Sequence, residues 1–221
     1  MRYEIKFIFD ENELSNFKDW LFIYSNFIKK YPKRIVNSIY FDDAYNSSAN
    51  DNLAGISIRE KYRLRWYGNK FDNLSNFEIK RKVNKINFKI YFDLKKNYED
   101  LIDLNNLEIA NLFQKKIFKY NPKYNFNFYP KLQVQYLRRY FENNEKIRLT
   151  LDSGIKFWSC PENQKSFYGY KYDYFSNIVE IKFEQKSLSY FTDLIRKTNF
   201  LPKRHSKYLA GLAILSELKY I

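Results

Sequence analysis

The chain has one cysteine, Cys160, and one histidine, His205, among its 221 residues. A single thiol excludes an internal disulfide and suits a reducing compartment, so a cytoplasmic location is expected. The same scarcity leaves no Cys/His set for a structural zinc. Cys160 reads as an inert, partly buried thiol, and His205 as a surface residue at a helix start. No apolar run approaches the roughly 18 to 20 residues of a membrane span. The opening MRYEIKFIF alternates charge and hydrophobe where a secretory leader would carry an apolar core. Low-complexity tracts and convincing linkers are absent as well, so a single domain over 1–221 is expected.

What the chain has in excess is positive charge. Lys and Arg number 39 against 25 Asp and Glu, a formal charge of +14. Such a balance points to a polyanionic partner: nucleic acid, phosphate chains, nucleotides or an anionic membrane surface. An AT-rich coding bias also enriches Lys, Asn, Tyr, Phe and Ile. The charge therefore acquires meaning only from where it is placed.

The stretch Ser57 to Tyr67, SIREKYRLRWY, places it. At strand period Arg59, Lys61, Arg63 and Arg65 share one face. Ile58, Tyr62, Leu64 and Trp66 share the other, with Glu60 the one charge among them. Trp66 reads as core under a helix. Four neighbouring cations need an acidic face or an anion opposite them.

The rest of the chain repeats the theme. Arg2 to Phe9 reads as a strand with Arg2, Glu4 and Lys6 on one face. Asp10 or Asn12 then caps a helix expected through Leu14, Phe17, Leu21, Tyr24 and Ile28, before Pro32. Arg34 to Phe41 reads as a strand, the segment 42–52 as a polar loop or short helix, Gly68-Asn69 as a turn, and Phe77 to Phe88 as one strand with Glu78, Lys80 and Lys82 on a face. A helical pattern covers Leu94 to Tyr120, and Pro122 and Pro130 bracket a loop. Strands are expected at Leu132 to Phe141 and Lys146 to Leu151, joined at Asn143-Asn144, with Ile155 to Trp158 extending the sheet. Gln164 to Asn177 reads as a loop with some strand. Ile178 to Glu184 alternates almost strictly, and helices are expected at Ser187 to Thr198 and Arg204 to Leu218. Lys29-Lys30 and Lys115-Lys116 read as solvated helix charge.

For any single strand, a solvated side explains such alternation. Six strands with charged faces, and helices available for the apolar ones, fit a sheet rolled with about ten cations around one lumen. Buried charge of one sign is costly unless paired, so that lumen must hold water and a counter-charged ligand. A phosphate chain meets the demand, each oxygen accepting from an arginine fork or a lysine.

The motifs in order resemble those of the triphosphate tunnel enzymes, and most closely their polyphosphate-polymerase branch, the VTC domain. Arg2-Tyr3-Glu4-Ile5-Lys6 is similar to the opening R-x-E-x-K strand, and Ser38-Ile39-Tyr40-Phe41-Asp42 to S-x-Y-F-D. Arg63-Leu64-Arg65-Trp66-Tyr67-Gly68 resembles R-x-R-x-Y-G, and Glu78-Ile79-Lys80 the next E-x-K. Tyr136-Leu137-Arg138 and Arg148-Leu149-Thr150-Leu151-Asp152 resemble the paired arginine strands. Glu180-Ile181-Lys182-Phe183 is similar to E-x-K-F, and Ser206-Lys207-Tyr208 to the closing S-K-Y. Each motif alone is weak; eight in register over most of the chain are specific.

The resemblance implies an α+β fold, an antiparallel β-barrel tunnel with helices packed on its outside, holding a nucleoside triphosphate by its phosphates. It implies transfer of the γ-phosphate of ATP to a growing polyphosphate chain, with Mn²⁺ or Mg²⁺. Carried over by position, Lys6, Arg63, Arg65, Lys80, Arg138, Arg148, Lys182 and Lys207 contact the reacting phosphates, and Ser206 and Arg204 add to the substrate site. Glu180 holds the metal, and Glu4 either joins it or pairs with a lysine. Arg59, Lys61 and Lys82 extend the same faces by strand parity. Hydrolytic and cyclase members open with E-x-E-x-K; Arg2 in place of the first glutamate favours the polymerase branch and weakens the case for a second metal, whose number the resemblance leaves open. Two other functions fit less well: a tunnel-fold triphosphatase, and a non-catalytic module for polyphosphate or single-stranded nucleic acid. The last needs aromatics on the basic faces. Most lie opposite, Tyr136 and Tyr140 excepted, so no nucleic acid is expected. ATP and polyphosphate are the expected partners, with no transmembrane segment and recruitment by a membrane partner left open.

Overall fold

The computed structural model describes residues 2–68, 75–84, 86–93, 101, 103–122, 124, 127–196 and 198–215, without the side chains of Arg2 and Asp93. The expectations placed on Asn69, residues 94–100 and 102, Lys197, residues 216–218 and the Arg2 side chain lie outside these residues.

The described residues form nine strands: β1 (Arg2–Phe9), β2 (Ile28–Asp42), β3 (Ile58–Tyr67), β4 (Asn76–Val83), β5 (Ile86–Asp93), β6 (Tyr129–Glu142), β7 (Arg148–Ser159), β8 (Lys171–Tyr174) and β9 (Asn177–Glu184). The helices are α1 (Glu11–Asp19), continued by a π-helical turn (Trp20–Tyr24), α2 (Ser47–Leu53), α3 (Asn106–Tyr120), α4 (Leu188–Arg196) and α5 (Lys207–Ile214). Hydrogen-bonded neighbours follow the order β1-β9-β7-β6-β2-β3-β4-β5, with β8 on β7. The pairs β1·β9, β7·β9, β2·β3, β3·β4 and β4·β5 are antiparallel. This is the antiparallel α+β architecture that the resemblance implied, although among the described residues the path of paired strands runs from β1 to β5 without closing into a barrel.

The chain forms two compact units, each assembled from separate segments: 1–35, 136–155 and 173–206 in the first, 36–135, 156–172 and 207–221 in the second. In the first, the apolar faces of β1, β7 and β9 (Phe7, Phe9, Leu149, Leu151, Val179, Ile181, Phe183) pack with α1 through Leu14 and Phe17 and with α4 through Phe191. An Asp10/Glu13 capping box starts α1. In the second, Ile39, Phe41, Tyr62, Leu64, Phe77 and Ile79 meet Ile109, Phe113 and Ile117 of α3. The Phe113 ring stacks on Phe41 at 4.4 Å. Trp66 is buried in this core as expected. Glu60, the charge among these hydrophobes, accepts from the Tyr62 hydroxyl at 2.6 Å and from Tyr124 at 3.0 Å, and lies 3.6 Å from Arg81. Burial and that carboxylate push the Tyr124 hydroxyl up to about 12.

Several boundaries differ from the sequence expectation. The first helix stops at the π-helical turn, where the Ser25 hydroxyl donates to the Leu21 carbonyl at 2.6 Å and Asn26 takes φ 52°. Ile28 through Pro32 therefore belong to β2, and Lys29-Lys30 are strand rather than helix charge. Tyr24 and Ile28 kept helical spacing by coincidence; both are exposed. The strand expected over Phe77 to Phe88 is a hairpin. It turns at Asn84 (φ 54°), whose N–H donates to the Ser57 carbonyl at 2.9 Å. Asparagine tolerates that left-handed conformation, so no glycine announced the turn. Helix α3 begins at an Asn105/Glu108 capping box. Pro130 lies inside β6, not in a loop. β7 starts at Arg148 and runs unbroken through Gly154, whose φ of 58° only glycine adopts readily. The last helix starts at Lys207 rather than Arg204.

Candidate functional site

In the second unit, strand register turns the parity argument into rows. Arg65 lies across from Ser38 on β2 and Asn76 on β4; Arg63 lies across from Tyr40 and Glu78; Lys61 faces Lys80, and Arg59 faces Lys82. On β5, Tyr91 continues the row of Glu78, and Lys89 that of Lys80. Arg59, Lys61, Arg63, Arg65, Lys80 and Lys82 thus share one side of β3 and β4, and Glu78 is the one carboxylate among them.

Each arginine is held. Arg63 Nε donates to Glu78 at 2.6 Å, with a second contact from its Nη2. Arg65, 8% exposed, directs Nε and Nη2 at the Ser38 hydroxyl at 3.1 and 3.0 Å. Arg59 donates to the Ile56 carbonyl at 2.5 Å. The Tyr40 hydroxyl sits beside this cluster. Burial alone would raise its pKa, but Arg63, Arg65 and Lys207 outweigh it and hold the phenol below its ordinary range.

Lys207 opens α5, a helix seated against the Ser38/Tyr40 side of β2. The Tyr208 ring stacks on Tyr40 at 5.0 Å, and its hydroxyl donates to Asp42 at 2.7 Å. Asp42 also accepts from the backbone N–H groups of Ser48 and Ala49 at 2.9 and 3.0 Å, fixing the start of α2. Burial nonetheless holds Asp42 above the usual carboxylate range. Gly211 faces Leu132 and Phe157, where a Cβ would lie 2.5 Å from a Leu132 methyl.

In the first unit, Glu4 lies across from Lys182 and Lys182 across from Arg148; Lys6 lies across from Glu180 and Glu180 across from Thr150. Lys6 Nζ is 3.3 Å from Glu4 and 3.8 Å from Glu180, and donates to the His205 carbonyl at 3.0 Å. Lys182 pairs with Glu180 and lies 3.7 Å from Glu4. Burial would raise the Glu180 pKa; Lys182, Lys6 and Arg138 outweigh it and keep the carboxyl far below its ordinary range. Arg138 forms a bidentate pair with Asp152 at 2.6 and 2.7 Å and lies 5.2 Å over the Tyr136 ring.

The residues expected from sequence are thus grouped in part. Lys6, Glu4, Glu180 and Lys182 form one cluster in the first unit, and Arg63, Arg65, Tyr40 and Lys207 one in the second. Arg148 and Arg204 are exposed, while Ser206 is half-buried. His205 is not the surface residue expected: it is half-buried, and its Nε2 lies 3.5 Å from the Tyr174 hydroxyl. Ser38, Tyr40 and Lys89 were missed. Ser38 and Tyr40 share strand parity within S-x-Y-F-D, a signal available in the sequence; Lys89 needed the hairpin register.

Among the described residues, no group of three or more His, Cys, Asp or Glu side chains could hold a metal. Glu4 and Glu180 are two carboxylates in one cluster. That donor set fits a hard divalent ion taking its other ligands from water and phosphate oxygens, rather than an all-protein cage.

The VTC domain family model matches residues 1–216. Three solved structures share the fold at low identity. A candidate adenylate cyclase from Bacillus halodurans is 12% identical, with 95% of this chain and 96% of that one covered and a TM-score of 0.59. A candidate adenylyl cyclase from Hippeastrum with a dominant triphosphatase activity is 12% identical, with 96% of each chain covered and a TM-score of 0.56. A protein of Pyrococcus horikoshii OT3 is 14% identical, with 98% and 99% covered and a TM-score of 0.53. No curated protein matches the chain.

Proposed function

Because the chain belongs to the VTC domain family, we propose that it is an ATP-dependent polyphosphate polymerase, moving the γ-phosphate of ATP onto the end of a polyphosphate chain. The observation that carries this reading is the shared face of β3 and β4, six cations against the single carboxylate of Glu78. A face so unbalanced calls for a multiply charged anion. Triphosphate and polyphosphate present their charges along a line, as the rows do.

The roles follow from that match. Arg63 and Arg65, already fixed by Glu78 and Ser38, offer forks to phosphate oxygens without reorganising. Lys61, Lys80, Lys82 and Arg59 continue the face, and Lys207 adds a cation from α5. In the first unit Lys6, Lys182, Arg138 and Arg148 serve the same chemistry, with Ser206 and Arg204 as further donors. A terminal oxygen of the chain, already anionic, attacks Pγ. The bridging O–Pγ bond breaks, and ADP leaves with its electron pair. No side chain has to remove a proton, so positioning and charge neutralisation carry the catalysis. A divalent ion, Mn²⁺ or Mg²⁺, would be held by Glu180 and Glu4 and would supply further neutralisation of phosphate oxygens.

One observation favours a second reading. The Hippeastrum protein of this fold has a dominant triphosphatase activity, so hydrolysis of inorganic or nucleoside triphosphate is the alternative. In sequence, Arg2 replaces the first glutamate of the hydrolytic opening and supports the polymerase. Incubation with ATP and Mn²⁺, followed by ³¹P NMR, separates the two. Internal-phosphate resonances growing with ADP are expected. Orthophosphate as the sole new phosphate would replace the polymerase by the hydrolase.

A further inference from the structure

A second feature of the first unit is untouched by phosphate chemistry. Trp20 and Leu21 are buried and seat the π-helical turn, but the next side chains turn outward. Phe22, Ile23, Tyr24, Ile28 and Tyr31 are between 52% and 70% exposed. The first seven residues of β2, Ile28 to Arg34, are exposed throughout. Phe22 rests edge-on against Phe141 at 5.8 Å and Tyr31 against Tyr140 at 5.9 Å; these are neighbours on β6 whose side chains take opposite faces, so the exposed segment is braced on both sides. Among these hydrophobes stand Lys29, Lys30, Lys33 and Arg34, and from Trp20 to Ile35 the chain has no Asp or Glu. Lys30 lies 3.1 Å from Glu142; that carboxylate is on β6.

We infer that this surface is a peripheral docking site for an anionic phospholipid membrane, with Phe22, Ile23, Tyr24, Ile28 and Tyr31 at headgroup depth and Lys29, Lys33 and Arg34 on lipid phosphates. Aromatic and aliphatic side chains ringed by cations match an interface that is anionic outside and apolar beneath. A free polyphosphate chain supplies the anions but gives Ile23 and Ile28 nothing to bury against. A second copy related by a two-fold axis would bring the same cations face to face. No helix among the described residues is long and apolar enough to cross a membrane. The docking site is independent of the polymerase reading, because it concerns other residues and is measured by partitioning.

The test is co-sedimentation of the full chain with vesicles of phosphatidylcholine alone or mixed with phosphatidylserine, alongside light scattering without vesicles. The wild type is expected to sediment with the mixed vesicles, to stay in solution with phosphatidylcholine alone, and to dissociate as salt rises. Ile23→Ser/Tyr24→Ser is expected to lower partitioning by about tenfold. Lys29→Glu/Lys33→Glu is expected to lower it by at least about tenfold. Matching thermal unfolding profiles establish that each variant folds; Ile28→Ser, at the strand start, replaces the first if it does not. Absence of wild-type binding overturns the assignment. So does binding that survives the serine substitutions, which leaves a track for soluble polyanions. A concentration-dependent dimer that those substitutions abolish makes the occupant a second copy and overturns it too.

Discussion

Tyr208 of α5 donates its hydroxyl to the buried Asp42 carboxylate at 2.7 Å while its ring lies on Tyr40. That one side chain ties the closing S-K-Y segment to the S-x-Y-F-D strand. It fixes the helix whose first residue, Lys207, faces the arginine cluster. Tyr208→Phe is expected to cost about 1–3 kcal/mol, the price of a buried carboxylate left short of a donor. Because burial already raises the Asp42 pKa, its contribution to stability is full below the ordinary aspartate range and is lost as pH rises through the raised value. The variant raises that value further, so its deficit in urea unfolding is expected to grow from mildly acidic to neutral pH.

Arg63 and Arg65 invite charge reversal, but their neighbours make the two sites unlike. A glutamate at 63 would face Glu78, itself nearly buried, and that clash is expected to destabilise by about 3 kcal/mol or more. Arg65→Lys is the cleaner probe, since it keeps the charge and removes the fork. Calorimetric titration is expected to find ATP affinity about tenfold lower with the unfolding midpoint little changed. Unaltered affinity would take Arg65 out of the phosphate site.

Glu180→Gln is expected to reduce metal-dependent turnover by about 100-fold while sparing most of the triphosphate affinity. The same variant tests the electrostatics of the cluster. Lys182 and Lys6 hold the Glu180 carboxyl well below the ordinary range despite its burial. Its contribution to stability is therefore present above the unfolded carboxylate value and is lost as pH falls toward the depressed one. Acid unfolding of wild type and variant is expected to converge at low pH and to separate above the glutamate range.

Tyr40 has a phenol shifted down by Arg63, Arg65 and Lys207. As pH rises through that lowered value, an internal anion forms among the groups assigned to phosphate. Triphosphate affinity is expected to weaken on the alkaline side in the wild type, and to stay flat over the same range in Tyr40→Phe. Identical pH profiles would leave Tyr40 a packing residue.

The two-residue period of β1, β3, β4 and β9 was readable without coordinates, because each strand buries one face under a helix. Tyr62, Leu64 and Trp66 fell where their hydrophobicity required, and Arg63 and Arg65 fell opposite. Chain reversals were not readable where asparagine took positive φ, as at Asn26 and Asn84. That residue carries the conformation without the signal a glycine gives. The apolar spacing of Tyr24 and Ile28 misled for another reason: both face outward, and exposed hydrophobes mimic a core stripe. Ion-pair partners were the least visible feature. The Arg138–Asp152 fork joins separate strands, and only the fold brings such groups together.

Gly211 sets a tolerance on the whole arrangement. A methyl there would lie 2.5 Å from the Leu132 side chain and 3.0 Å from the Phe157 ring, so either those neighbours shift or the closing helix rides outward by a fraction of its width. Lys207 stands one helical turn away on the same rigid rod and would travel with it. A hydrogen atom at a position that touches no substrate thus gauges how far a cation reaches.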